Sequence, residues 1–134
     1  MIREAKRPFD LIGIYEVIKS CNDKPYFIHS PFLLWLFQKL KQRIYFVYIF
    51  QREVVGFVAV QNNLSGDLWV RPEHRNKGIG KKLRLHVEDF VLNKYDSLIV
   101  YSPKENYKYY LPYGYRVIET KKSLKGDIKL LKKF

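Results

Sequence analysis

The sequence predicts an α/β domain of the α+β type, a central mixed sheet with helices on both faces. Three observations lead there. Two apolar runs, Ile44–Phe50 and Val54–Gln61, stand three polar residues apart, as in an antiparallel pair. Asp67–Tyr101 reads as strand, long amphipathic helix, strand, a crossover that joins parallel strands with a right-handed turn. With 134 residues, 47% of them hydrophobic, the chain can bury one core and hardly two. We therefore read residues 1–134 as a single domain, with the element order β-α-α-β-β-β-α-β-α-β-β.

Met1–Lys6 reads as a first strand. Pro8 suits the first turn of a helix, where its missing N–H costs nothing, and Leu11, Ile14, Tyr15 and Ile18 follow at helical spacing up to Asn22-Asp23-Lys24-Pro25. Ser30-Pro31 is a cap followed by a proline, opening a second helix over Phe32–Lys41. The β-branched and aromatic content of Ile44–Phe50 marks a strand, Gln51-Arg52-Glu53 a hairpin turn, and Asn62-Asn63 the exit from the next strand. Asp67–Val70 is a short third strand stopped by Pro72. In the helix Gly78–Asn93, Ile79, Leu83, Val87, Phe90 and Val91 share a face, while Lys81, Lys82, Arg84, Glu88 and Asp89 fall mostly elsewhere. Ser97–Tyr101 is a strand, Pro103–Tyr113 a loop with a short helix, and Tyr115–Thr120 and Asp127–Phe134 are final strands, the last alternating through Ile128, Leu130, Lys132 and Phe134.

Net charge is +12, from 25 Lys+Arg against 13 Asp+Glu. Such a balance suits a nucleic acid, a membrane surface or a polyphosphate ligand, and equally a Lys-rich composition tuned for solubility. Aromatic content of 16% argues against disorder. A single cysteine, Cys21, allows no internal disulfide and no thiolate zinc site, which fits a reducing cytoplasm. No apolar run approaches the roughly 20 residues of a membrane-spanning helix, and Met1–Lys6 has no apolar signal core, so a cytoplasmic protein without a membrane partner is expected.

The chemistry lies in Leu68–Leu83. A strand ends at Val70, Pro72 stiffens a short loop, and Arg75-Asn76-Lys77-Gly78-Ile79-Gly80 runs into the long helix. Glycines there let a ligand approach the backbone closely. The first amides of a helix lack internal partners and favour an anion. Lys81 and Lys82 in the first turn oppose the helix dipole, which makes sense beside an anion. The glycines alone are equally those of an ordinary helix start. The P-loop pattern is absent, and the dinucleotide fingerprint lacks its third glycine.

The string Val70-Arg71-Pro72 followed by Arg75-Asn76-Lys77-Gly78-Ile79-Gly80 resembles the acetyl-CoA-binding motif of the GNAT N-acetyltransferase superfamily, Arg/Gln-x-x-Gly-x-Gly/Ala, and the element order resembles that family's acyl-CoA N-acyltransferase fold along the whole chain. The resemblance implies that acetyl-CoA is the co-substrate and that its acetyl group passes directly to an amine, with no covalent enzyme intermediate and no metal. It implies a slot between a bulged fourth strand and the fifth. Main-chain groups at Trp69 and Val70 would pair with the pantetheine arm and thioester. Amides from Asn76 through Lys77, Gly78, Ile79 and Gly80 to Lys81 would hold the diphosphate, with added charge from Arg75 and Lys81.

Tyr110, four residues before Gly114-Tyr115, matches the family's tyrosine that protonates the departing thiolate, although the chain has 11 Tyr and packing alone would also explain one. The family's asparagine about seven residues earlier falls on Pro103; Asn106 is the only one nearby, and its contact with the pantetheine is left open. Asp67, Glu73 and His74 are candidates for the base, Asp67 foremost, and an uncharged amine acting without a base is the alternative. Tyr26, Phe27, His29, Phe32 and Trp35 would wall an acceptor pocket or simply pack a core, and the basic tip Lys121–Gly126 would attract an acidic acceptor or stay solvated. Expected partners are an amine acceptor and, as an open alternative, a second copy in a homodimer. A non-catalytic acetyl-CoA-binding protein and a basic nucleic-acid-binding module are the competing readings; no nucleic-acid motif supports the latter.

Overall fold

The computed structural model describes residues 1–6, 9–21, 42–120 and 128–134. The expected helix start at Pro8, the second helix Phe32–Lys41, the aromatic group Tyr26–Trp35 and the hairpin tip Lys121–Gly126 lie outside the described residues.

The described elements are β1 (Ile2–Glu4), α1 (Phe9–Ser20), β2 (Ile44–Phe50), β3 (Glu53–Gln61), β4 (Leu64–Val70), α2 (Ile79–Leu92), β5 (Ser97–Ser102), β6 (Arg116–Thr120) and β7 (Ile128–Lys133), with 3-10 turns at Pro72–His74 and Tyr107–Tyr113. The strands form one mixed sheet in the order β1-β2-β3-β4-β5-β7-β6. β4 and β5 run parallel, joined by α2 as expected of the crossover, and the other neighbours are antiparallel.

The β2–β3 turn is tighter than the three polar residues suggest. Gln51 and Arg52 both take positive φ, 49° and 66°, and Glu53 already pairs with Phe50. That is the two-residue hairpin whose twist matches its strands. β4 begins three residues before the expected Asp67, because a second tight turn at Asn62-Asn63, with Asn62 at φ 54°, pairs Gln61 with Leu64.

β3 reads as an unbroken apolar run because both its faces are covered. Val54, Phe57 and Ala59 meet Ile14, Val17 and Ile18 of α1. Val55, Val58 and Val60 meet Ile79, Leu83, Val87 and Val91 of α2. Two cores thus flank one sheet, helices on both faces. α1 is tied to β1 by charge: Arg3 donates from Nη1 and Nη2 to the two oxygens of buried Asp10 at 2.6 and 3.0 Å, and the Lys6 amide donates to the same carboxylate. Burial raises the Asp10 pKa, but the Arg3 hydrogen bonds and charge and the Lys6 amide outweigh it, leaving the carboxyl below its ordinary value.

α2 departs from its sequence reading in one respect. Arg84 and Glu88, expected away from the apolar face, are both buried. Glu88 accepts from Arg84 Nη1 at 2.8 and 3.1 Å, from the Tyr115 hydroxyl at 3.0 Å and from Lys132 Nζ at 2.9 Å. Helical periodicity cannot reveal this, because the partners arrive from β7 and from Tyr115, far along the chain.

Candidate active site

The site begins with a fault in the sheet. Phe57 pairs with Trp69 but Ala59 pairs with Gly66, so Val58 faces two residues, Asp67 and Leu68. The extra residue makes a bulge in β4, and bulges bend and twist their strand. On its other side β4 pairs with β5 only at Leu64–Ile99 and Ser65–Val100. From Gly66 to Val70 the edge facing β5 makes no ladder bond with it. Main-chain groups left open this way call for a partner, and the Val70 carbonyl finds its partners in Arg75 and Cys21.

A cleft of about 1170 Å³ opens where the strands part. One wall is β4, with Gly66, Leu68, Trp69 and Val70. The other is the end of β5 and the loop after it, with Tyr101, Ser102, Pro103, Asn106, Tyr109 and Tyr110. Its floor toward α2 is Arg75, Asn76, Gly78, Ile79, Gly80 and Lys81.

The turn into α2 is shaped by two left-handed residues, Asn76 at φ 62° and Gly78 at φ 82°. Gly78 caps the helix without a side-chain hydrogen bond, and no acidic residue stands in the first turn. The first helical bond runs from the Lys82 amide to the Gly78 carbonyl at 3.0 Å. The amides of Ile79, Gly80 and Lys81 therefore have no carbonyl within the helix. An uncapped helix start with lysines at positions 81 and 82 is electrostatically suited to an anion. A Cβ on Gly78 would meet nothing within 4 Å, so the backbone there is open to an approaching ligand.

Arg75 is tied down. Its Nε donates to the Val70 carbonyl at 3.1 Å and its Nη2 to Cys21 Sγ at 3.3 Å, while the Cys21 thiol also donates to Val70 O at 3.4 Å. This clasp fixes the end of β4 against the turn into α2 and the end of α1.

Tyr110 lies in the 3-10 turn Tyr107–Tyr113 and is buried at the cleft wall. Tyr109 meets its ring at 5.1 Å and Tyr115 at 5.2 Å, both nearly edge-on. Burial, then the neighbouring Tyr109, push its phenol up to about 12 against an opposing pull from Arg84, so it holds its proton at neutral pH. Burial and then the Glu88 charge raise Tyr115 as well.

Most of the sequence-predicted residues meet at this cleft: Trp69, Val70, Arg75, Asn76, Gly78, Ile79, Gly80, Lys81, Asn106 and Tyr110 all line it. Lys77 does not; its side chain is exposed, and the turn carries its neighbours inward instead. Asp67 stands in the β4 bulge. His74, one of the candidate bases, lines the cleft as well. Cys21, Arg43, Gln61 and Tyr109 also line it and were not foreseen there, and of these Tyr109, beside a recognised motif, carried a local signal. Cys21 sits 49 residues from the carbonyl it touches, so nothing nearby in sequence announces it. Among the described residues no cluster of three or more His, Cys, Asp or Glu could hold a metal, and no helix is long and apolar enough to cross a membrane.

A bulged strand parting from its parallel neighbour, with an uncapped basic helix start at one end and a buried tyrosine on the far wall, defines the cleft. The acetyltransferase (GNAT) domain family matches residues 41–117, more than half of the chain. The chain belongs to that family. Its fold is that of solved N-acetyltransferases. A GCN5-related N-acetyltransferase from Rhodopseudomonas palustris superposes with a TM-score of 0.83 at 14% identity, covering 100% of this chain and 95% of that one. The PaiA N-acetyltransferase of Thermoplasma acidophilum in complex with coenzyme A gives 0.71 at 21% identity, with 100% and 99% covered. An aminoglycoside 6'-N-acetyltransferase complexed with coenzyme A gives 0.80 at 16% identity, with 99% and 96% covered. No curated protein matches the chain by sequence.

Proposed function

We propose that this chain is an acetyl-CoA-dependent N-acetyltransferase that passes an acetyl group directly to a primary amine of a small molecule, peptide or protein. One observation carries the reading: the unpaired edge of β4 leads from the uncapped start of α2 to a buried, protonated tyrosine. Coenzyme A complexes among proteins of the same fold support the choice of ligand.

Acetyl-CoA, when bound, supplies the activated acyl thioester. The amides of Ile79, Gly80 and Lys81 donate to its diphosphate, and Lys81 adds positive charge. The open edge of β4 at Leu68–Val70 receives the pantetheine arm as a strand receives a neighbour, with Trp69 and Asn106 on opposite walls. At the sheet's parting the acceptor nitrogen bonds to the acetyl carbon and the carbon–sulfur bond breaks. Tyr110 gives its hydroxyl proton to the departing sulfur and regains one from solvent. The amine surrenders its proton to Asp67 in the bulge or to water.

The test is release of coenzyme A thiol from acetyl-CoA across polyamines, amino acids, aminoglycosides and peptide amino termini. At least one amine is expected to give turnover. Tyr110→Phe should lower kcat about 10- to 100-fold while leaving coenzyme A affinity within about twofold. Binding without turnover on any amine contradicts the catalytic reading and leaves that of a non-catalytic acetyl-CoA-binding protein.

A further inference from the structure

Arg84 has a buried guanidinium that the reaction as described does not use. Its Nη1 is held by Glu88, yet its Nε has no hydrogen-bond partner among the described residues. A buried donor left unsatisfied is costly, so a helix position that keeps one invites an explanation. The guanidinium lies 4.0 Å from the centre of the Tyr113 ring and 6.0 Å from that of Tyr109. Those tyrosines meet each other at 5.4 Å, and Tyr109 meets Tyr110 at 5.1 Å. From the other side Tyr115, hydrogen-bonded to Glu88, meets Tyr110 at 5.2 Å. Arg84, Tyr110 and Tyr115 also line one small, partly open pocket of about 10 Å³.

We propose that Arg84, oriented by Glu88, is a positioning residue: its flat cation seats the Tyr109 and Tyr113 rings and thereby fixes Tyr110 at the cleft wall. The planar guanidinium is suited to this role, since it stacks on aromatic faces where an ammonium would not. The turn Tyr107–Tyr113 has no side-chain cap of its own, so the anchoring must come from beneath. Such placement matters because a proton donor misplaced by about 1 Å can lose about 100-fold in rate. Arg84 touches neither substrate nor leaving group in this account. The inference rests on the reading of Tyr110 as the acid given above.

The experiment is a double-mutant cycle on the full chain with an amine that gives turnover, joined to crystal structures of the variants. Arg84→Met keeps the volume, and Glu88 keeps Tyr115 and Lys132 as partners, so the variant should fold. Tyr113→Leu removes the stacked ring from the half-exposed side and is the second variant should Arg84→Met not fold. Each should lower kcat about tenfold. Coenzyme A affinity should stay within about twofold, and neither substitution should slow the Tyr110→Phe enzyme further. Equal losses in both backgrounds, or no loss in either, overturn the proposal. If Tyr110→Phe is itself as active as the wild type, the acid assignment fails separately, and the crystal structures then decide. Displacement of the Tyr110 ring by about 1 Å or more in Arg84→Met, or in Tyr113→Leu, upholds the positioning role. An unmoved ring refutes it.

Discussion

The Tyr115 hydroxyl donates to Glu88 Oε1 across 3.0 Å, joining the residue that opens the last hairpin to the middle of α2. The same oxygen receives Lys132 from β7 and Arg84 one turn earlier. Glu88 is thus the node at which α2, the C-terminal hairpin and the tyrosine turn meet. Removing it leaves the Arg84 charge buried beside the Tyr109 and Tyr113 rings without its counter-ion. Glu88→Ala should cost about 3–5 kcal/mol of stability in denaturant unfolding. The pair Arg84→Met with Glu88→Leu should recover most of that loss, since hydrophobic replacement of a buried ion pair is often close to neutral.

The Arg3–Asp10 pair makes a second prediction. Asp10→Ala removes two charge-assisted hydrogen bonds from Arg3 and one from the Lys6 amide, and should cost about 2 kcal/mol, the charge-assisted bonds dominating. The pH dependence has a definite sign. The folded-state pKa of Asp10 is lowered, so its contribution is complete above the ordinary value of 3.8 and fades as pH falls through the depressed one. Wild type and variant should converge in melting temperature in strong acid and differ most near neutrality.

Gly78 and Gly80 look alike in sequence and should behave differently. Gly78→Ala places a side chain at φ 82°, a strain of about 1–2 kcal/mol, at the turn that presents the open amides. Gly80 lies within the helix, and its added Cβ would come no closer than 4.0 Å, to Val70 Cγ2. Gly80→Ala should be neutral or stabilising by up to about 1 kcal/mol. Thermal melts and coenzyme A titrations of the two variants give the contrast directly.

Gly56 is the hidden glycine of the site. A Cβ there would stand 3.1 Å from the Trp69 carbonyl and 3.3 Å from both Leu83 Cδ1 and Val70 Cγ2. To admit it, the Trp69 carbonyl must give by a few tenths of an ångström, shifting the end of β4 along whose other edge the pantetheine arm is proposed to lie. Gly56→Ala should cost about 1–3 kcal/mol and weaken coenzyme A binding measurably. A variant that binds as well as the wild type would show the edge of β4 to be uninvolved.

Much of this was legible in residue order. The glycines after Pro72 and the apolar face of α2 marked the strand–turn–helix unit, and Tyr110 could be picked out by its distance from Gly114. The bulge at Asp67–Leu68 is a relation between β4 and β3 that no local propensity records, and it was expected only from the family resemblance. Two features were not legible. The burial of Arg84 and Glu88 depends on Lys132 and Tyr115, so on α2 alone they read as solvated charges. Cys21 reaches the cleft only because α1 ends beside Val70. Local signals locate elements; the contacts that complete a site are distant in sequence.

The central claim is that the start of α2 and the open edge of β4 receive coenzyme A, and calorimetric titration of the folded wild-type chain with coenzyme A addresses it most directly. The account predicts one binding event per chain, weakened about tenfold or more by Gly78→Ala, since that substitution strains the left-handed turn that presents the amides meant to hold the diphosphate. A folded wild-type protein that takes up no coenzyme A, or a Gly78→Ala variant that binds it undiminished, would contradict the account.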